Sequence, residues 1–329
     1  MGGVRWAFPC AAWRPRREEW LLAARLVQPE EKERIGRFVY ARDAKAALAG
    51  RLLMRKLIAE KLCVPWNEIH LQRTSKGKPF LANSVFSVRS NYNFNVSHQG
   101  DYAVLAAEPE LQVGIDIMKT NLPGSSSIPN FFRIMKRQFT EAEWHVIKSM
   151  NNEWMQLDMF HRHWALKESF LKAIGVGIGF NLQRIEFHVS PLQMEIGKVY
   201  NETQMLLDGE KEEEWTFEET RLDDCHHIAV ALGKQEGFGQ QHTDVRRQKS
   251  GTTSLRMFSL EVDICILSAS AADFLQLTTA AIRHRWKLTV KEAPVSSDPF
   301  RMENRAMYQL ESPTDRWQSL RFNSVFAWL

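Results

Sequence analysis

A carboxylate set into an apolar helix stripe constrains this chain more than any other feature. Leu157, Phe160, Trp164, Leu171 and Ile174 recur at the three- and four-residue spacing of one buried helical face. Glu168 falls inside that stripe, about 40° around the helix from Trp164, and Lys172 follows one turn later at its edge. An acid aimed at a core is costly unless a metal ion or a cationic neighbour pairs with it, so the fold must bring such a partner to this helix. The alternative is a Glu-to-Lys pair at i,i+4 on a solvated face, worth only about 0.2–0.5 kcal/mol. Position alone does not separate the two.

Upstream, Val113, Ile115 and Ile117 alternate with Gly114, Asp116 and Met118, the pattern of a strand with one apolar face and Asp116 on the other. Gly114 leaves that second face open beside the acid, which usually signals close approach of a ligand or another backbone. Asp116 and Glu168, from separate elements, can then meet around a hard cation that keeps waters and binds phosphate oxygens, as magnesium does. An Asp that begins a turn or caps a helix would look the same locally. Further upstream, Arg73, Lys76 and Lys78 surround Gly77. A tight turn there presents three cations and several backbone N–H groups to a phosphate, or else forms a solvated basic loop.

Taken in order, Arg73, Thr74, Ser75, Lys76, Gly77, Lys78 and Pro79, then Asn95, Val96, Ser97 and His98, then Gly114, Ile115 and Asp116, then Trp164, Ala165, Leu166, Lys167, Glu168, Ser169, Phe170, Leu171 and Lys172 carry a resemblance. The chain resembles the 4′-phosphopantetheinyl transferases of the Sfp type over about residues 4–234. The resemblance implies an α+β fold of two similar lobes with the active site between them. The N-terminal lobe would cover 1–110 and the C-terminal lobe 111–234, with the seam near 108–112; residues 235–329 would be a linker and a divergent, poorly ordered extension without catalytic residues.

The same resemblance implies an enzyme that moves the 4′-phosphopantetheine group of coenzyme A to a serine of apo acyl carrier protein domains, releasing adenosine 3′,5′-bisphosphate. Its carriers would be domains of the fatty acid synthase and aminoadipate-semialdehyde dehydrogenase types. Asp116 and Glu168 would hold Mg2+, and Glu168, Lys172 and Asp116 would be catalytic. Coenzyme A would be held by Arg34, by Arg73, Thr74, Ser75, Lys76, Gly77 and Lys78, by Asn95, Val96, Ser97 and His98, and by Lys172. His98 would donate to the nucleotide's 3′-phosphate; the plainer reading is a strand-end histidine turned to solvent. One departure stands out. Many bacterial relatives carry a second acid where this chain has Met118, so water or a neighbour such as Gln99 is expected to complete the metal site. Two other readings stay open: another magnesium-dependent phosphotransferase or hydrolase, and a non-catalytic protein that docks carrier domains.

With 329 residues, 44% of them apolar and 25% charged, the chain can bury a sizeable core. A net charge of +4 suits an acidic partner or a phosphate-rich ligand and is no evidence for nucleic acid. Cys10, Cys63, Cys225 and Cys265 are scattered, with no C-x-x-C pair, which points to a reduced compartment, the cytosol. No signal peptide or membrane span is expected, and a monomer is. Residues 30–62 read as one long helix or two abutting ones, with Pro29 in the first turn. Residues 93–98, 102–107 and 112–118 read as strands, the last two joined through 108–110 into an antiparallel meander. Further strands are expected over 180–189 and 228–232, and 210–214 as a solvated turn. Helix and strand without βαβ alternation argue for α+β. Gly175, Gly177 and Gly179 follow a helix, so they read as its C-terminal cap, and His161 and His163 point apart on a helix and cannot share a metal.

Overall fold

The computed structural model describes residues 2–82 and 92–234 apart from 123, 125, 126 and 178, together with the backbone of residues 265 and 266. Helix ends follow local chemistry. After β1 (Val4–Phe8) and α1 (Arg17–Arg25), α2 (Pro29–Gly36) opens on a proline, which needs no N–H there, with Glu30 and Glu31 in its first turn. It breaks at Arg37 before α3 (Ala41–Lys61), so the 30–62 run is two helices, the second buried along most of its length. A short hairpin, β2 (Leu71–Arg73) and β3 (Pro79–Leu81), precedes β4 (Tyr92–Gln99) and β5 (Tyr102–Pro109). β5 lies between β1 and β4 in one antiparallel sheet, and α3 covers its outer face through Leu48, Leu52 and Leu53.

The second lobe repeats this order. β6 (Leu111–Lys119) leads through α4 (Ile128–Met135) and α5 (Glu141–Lys148) to the long helix α6 (Glu153–Ile174). The chain continues through β7 (Ile185–His188), β8 (Val199–Tyr200), β9 (Gln204–Leu207) and β10 (Glu210–Lys211) to the hairpin of β11 (Trp215–Asp223) and β12 (His226–Lys234). Here β12 lies between β6 and β11, as β5 lies between β1 and β4. Each lobe is therefore a strand, a long helix and an antiparallel hairpin whose second strand returns to pair with the first. Strand structure within 180–189 is confined to β7, and 210–214 begins as β10 paired with β9, its acids exposed apart from the half-buried Glu212.

β5 and β6 do not form the expected meander. Glu110, in a left-handed conformation at φ 65°, turns the chain after β5, and β6 pairs with β12 from Leu111 to Lys119 instead. The reason is burial on both faces. Val113, Ile115 and Ile117 pack with Ala7, Val104, Ala106, Ile228 and Val230 between the two sheets, while Met118 joins the core under α6. The result is a helix–sheet–sheet–helix stack. Arg5 of β1, 3% exposed, clamps it by donating to Glu218 of β11 at 2.7 and 3.0 Å and pairing with Glu108 at 2.8 Å. Of the 235–329 extension, only β13 (Cys265–Ile266) is described, pairing parallel with Trp6 and Ala7 at the free edge of β1; the rest lies outside the described residues.

Candidate functional site

β6 is an edge strand of its sheet, and side chains of β4 satisfy its open side. Asn95 Oδ1 accepts the Ile115 N–H at 3.0 Å, Gln99 Oε1 accepts the Lys119 N–H at 2.5 Å, and the Ser97 hydroxyl donates to Asp116 Oδ1 at 2.8 Å. Gln99, expected as a stand-in metal ligand, spends one lone pair of its carbonyl oxygen on this backbone N–H. Met118 is buried in the second-lobe core and supplies no donor either.

Helix α6 lies across β6 because Gly114 lets it. A Cβ at Gly114 would sit 2.0 Å from the Ser169 carbonyl oxygen and 2.4 Å from the Ala173 nitrogen, so the close approach predicted at this glycine is to helix backbone. Asn152 caps the start of α6, accepting the Met155 N–H, and Gly175 ends it in a left-handed turn at φ 67°. Phe160 and Trp164 pack with Phe131, Phe132, Phe139 and Trp144. Lys167, fully buried, donates to the carbonyls of Gln138, Leu182 and Ile185 and pairs with Glu143 at 2.7 Å. His161 and His163 each donate through Nδ1 to a carbonyl one turn back, and their positions two residues apart send the rings to different sides of the helix.

This packing brings Glu168 and Lys172 to Asp116. Lys172 Nζ lies 2.5 Å from Asp116 Oδ1 and 2.8 Å from Ser97 Oγ. Glu168 is half-buried, and among the described residues no hydrogen bond or ion pair reaches its carboxyl. Burial first, then the charge of Asp116, push its pKa up to about 7, partly offset by Lys172. Asp116 Oδ2 and both Glu168 oxygens thus remain without a donor among the described residues. Hard oxygen donors and crowded negative charge fit a divalent cation of the magnesium kind.

Next to the acids opens a cleft of about 110 Å³, walled by α2, α3, the β2–β3 turn, β4 and the end of α6. Arg34, Arg51, Arg73, Lys76, Lys78 and Lys172 line it with one acid, Glu31; Gly77, Asn95, Val96, Ser97 and His98 line it too. Gly77, at φ 88°, makes the turn, its carbonyl accepting Arg73 Nη1 at 2.8 Å. Thr74 closes that turn, its Oγ1 accepting the Lys78 N–H, and Ser75 sits at the tip; neither lines the cleft. Burial lowers Lys78 to about 8, and it lowers His98 to about 4, helped by the charges of Lys172 and Arg51, so His98 is neutral near pH 7 and turned inward, not to solvent. Glu31 and Arg51 escaped the sequence reading. Their signal was present: Glu31, Arg34, Ile35 and Phe38 follow helical spacing, and Arg51 interrupts the buried run of α3.

The chain is similar in sequence to known proteins. The family described as "4′-phosphopantetheinyl transferase, N-terminal" matches residues 11–110, and the "4′-phosphopantetheinyl transferase superfamily" matches residues 112–232. The L-aminoadipate-semialdehyde dehydrogenase-phosphopantetheinyl transferase of Rattus norvegicus is 65% identical over 260 residues, 79% of this chain and 84% of the relative. Its Homo sapiens counterpart is 64% identical over the same shares. The 4′-phosphopantetheinyl transferase Sfp of Bacillus subtilis is 30% identical over 156 residues, 47% of this chain and 63% of that protein. Matches to both lobes, and identity this high across most of each chain, make this protein a member of the 4′-phosphopantetheinyl transferase superfamily.

Proposed function

We propose that this chain transfers 4′-phosphopantetheine from coenzyme A to a serine hydroxyl of acyl carrier protein domains, with magnesium as its metal and adenosine 3′,5′-bisphosphate as the second product. The observation that carries this reading is the meeting of Asp116 and Glu168 with Lys172, which itself lines a basic cleft built by both lobes. Arg34, Arg73, Lys76, Lys78 and His98 suit the phosphates of coenzyme A. The names of the rat and human relatives favour a carrier domain of the aminoadipate-semialdehyde dehydrogenase type among the substrates, and fatty acid synthase carriers share the acceptor chemistry. No helix among the described residues is long and apolar enough to cross a membrane, in keeping with a place in the cytosol.

In the mechanism, Asp116 and Glu168 are the residues that would hold the cation. Magnesium would neutralise charge on the phosphoryl group under attack. Glu168, or a water it orients, accepts the serine hydroxyl proton. Lys172 exchanges Asp116 for the pyrophosphate oxygens and steadies the departing nucleotide. Incubation with apo carrier protein, coenzyme A and magnesium should add one phosphopantetheine group by intact-mass spectrometry, lost on chelation and in Glu168→Ala. A carrier that gains no mass while coenzyme A binds would favour a docking protein instead.

A further inference from the structure

Two charged residues outside every motif, Glu31 and Arg51, join the motif residue Arg73 in an ion cluster on the wall of the cleft. Arg51 Nε lies 3.0 Å from Glu31 Oε2, and Arg73 Nη2 donates to both Glu31 oxygens at 3.1 and 3.3 Å. Arg73 is held from its other side by the Gly77 carbonyl. Glu31 thus stands between two guanidinium groups and fixes both. Arg51 engages Glu31 through Nε, and among the described residues its Nη1 meets only the weak acceptor Met54 Sδ, at 3.8 Å. Yet its side chain is only 13% exposed. A buried cation with unspent donors facing a cleft is costly until an anion arrives. Arg34 lies one turn along α2 from Glu31 and is close enough that its charge bears on both Arg51 and Arg73. Three arginines against one carboxylate leave two positive charges. That matches a phosphate monoester, which carries about −1.5 to −2 near neutrality; the pyrophosphate carries a similar charge, but the acids that would hold its cation lie on the Lys172 side of the cleft. Forked guanidinium donors also suit the monoester oxygens, since two parallel N–H groups can bind one phosphate.

We infer that Arg51 is a direct ligand of the monoester phosphate of coenzyme A, and that Glu31 is a positioning residue that aims Arg51 and Arg73 at it. The inference rests on the coenzyme A reading above. It separates the two phosphate groups of that molecule: the monoester at Arg51, and the pyrophosphate near Asp116, Glu168 and Lys172.

The test compares coenzyme A with 3′-dephospho-coenzyme A, which lacks the monoester, by calorimetry and by transfer kinetics on the full chain. Arg51→Gln and Arg51→Lys should each raise the Kd and KM for coenzyme A, the glutamine variant by about 30-fold or more. Affinity for dephospho-coenzyme A should change by less than about 3-fold, and kcat at saturating coenzyme A should hold within the same range. Retained dephospho-coenzyme A binding also reports an intact fold, and Arg51→Lys keeps the buried charge should the glutamine variant fail to fold. Glu31→Gln makes the cleft more positive, yet should weaken coenzyme A binding several-fold, because the two guanidinium groups lose their anchor. Tighter binding by Glu31→Gln would overturn the positioning role. Equal losses for both ligands in the Arg51 variants would overturn the monoester assignment. A wild-type chain that binds neither ligand would overturn the transferase reading and this inference together.

Discussion

Glu168 answers two opposed demands: burial beside Asp116 favours its protonated form, whereas a cation needs the carboxylate. Because its pKa is raised to about 7, a proton competes with the metal below that pH. Affinity for Mg2+ or Mn2+ should therefore fall as pH drops below about 7, by up to roughly tenfold per unit. Metal titrations at pH 6 and 8 check this, and equal affinities would place the metal elsewhere. Asp116→Asn removes one of the charges that raise Glu168, so the Glu168 carboxyl should titrate lower by carbon NMR while transfer falls by about 10²-fold or more. At this scale the acids, Lys172 and the basic turn were legible in the sequence, each being a charged residue placed against a local pattern. The bond from the Lys119 N–H to Gln99 was not legible, because nothing local says that the two strands lie side by side.

The pairing of β6 with α6 makes the acid site. Gly114→Ala would drive a Cβ into the Ser169 carbonyl and the Ala173 nitrogen, and backbone cannot yield as a side-chain tip can. A loss of about 1–3 kcal/mol is expected, read as a lower midpoint in urea, together with reduced transfer because Glu168 moves away from Asp116. Lys167→Met should cost more. It leaves Glu143 buried and unpaired and releases the carbonyls of Gln138, Leu182 and Ile185, for about 3–5 kcal/mol in the same denaturation experiment. Periodicity showed α6 and alternation showed β6. The partner of Gly114 was open in the sequence, because a glycine signals close approach without naming what approaches.

For the whole molecule, buried histidines set the response to acid. His98, His161 and His163 are each lowered to about 4, chiefly by burial, so between that value and their ordinary 6.5 the unfolded chain binds more protons than the folded one. Stability then rises with pH across that window, by up to about 1.4 kcal/mol per unit for each histidine. Glu168 acts oppositely: its raised pKa contributes stability that is present below 4.5 and lost as pH rises through about 7. Three histidines outweigh one glutamate, so the urea midpoint should be lower at pH 5 than at pH 7. An unchanged midpoint would mean that these rings are charged or hydrated in the folded state.

By itself the sequence determined the helix around Glu168, the strand carrying Asp116, the basic turn at Gly77 and the helical stretch before it, whose break at Arg37 the fold supplied. Each follows from spacing, alternation or a residue with special backbone freedom, and each is local. The tertiary structure alone decided that β6 leaves β5 to pair with β12, that β4 side chains satisfy the open edge of β6, and that Glu31, Arg51 and Arg73 meet. Strand partners and buried ion clusters join residues far apart in the chain, and they are settled by which apolar faces can be covered at once. A strand apolar enough to pack between two sheets reads the same whichever neighbour it takes.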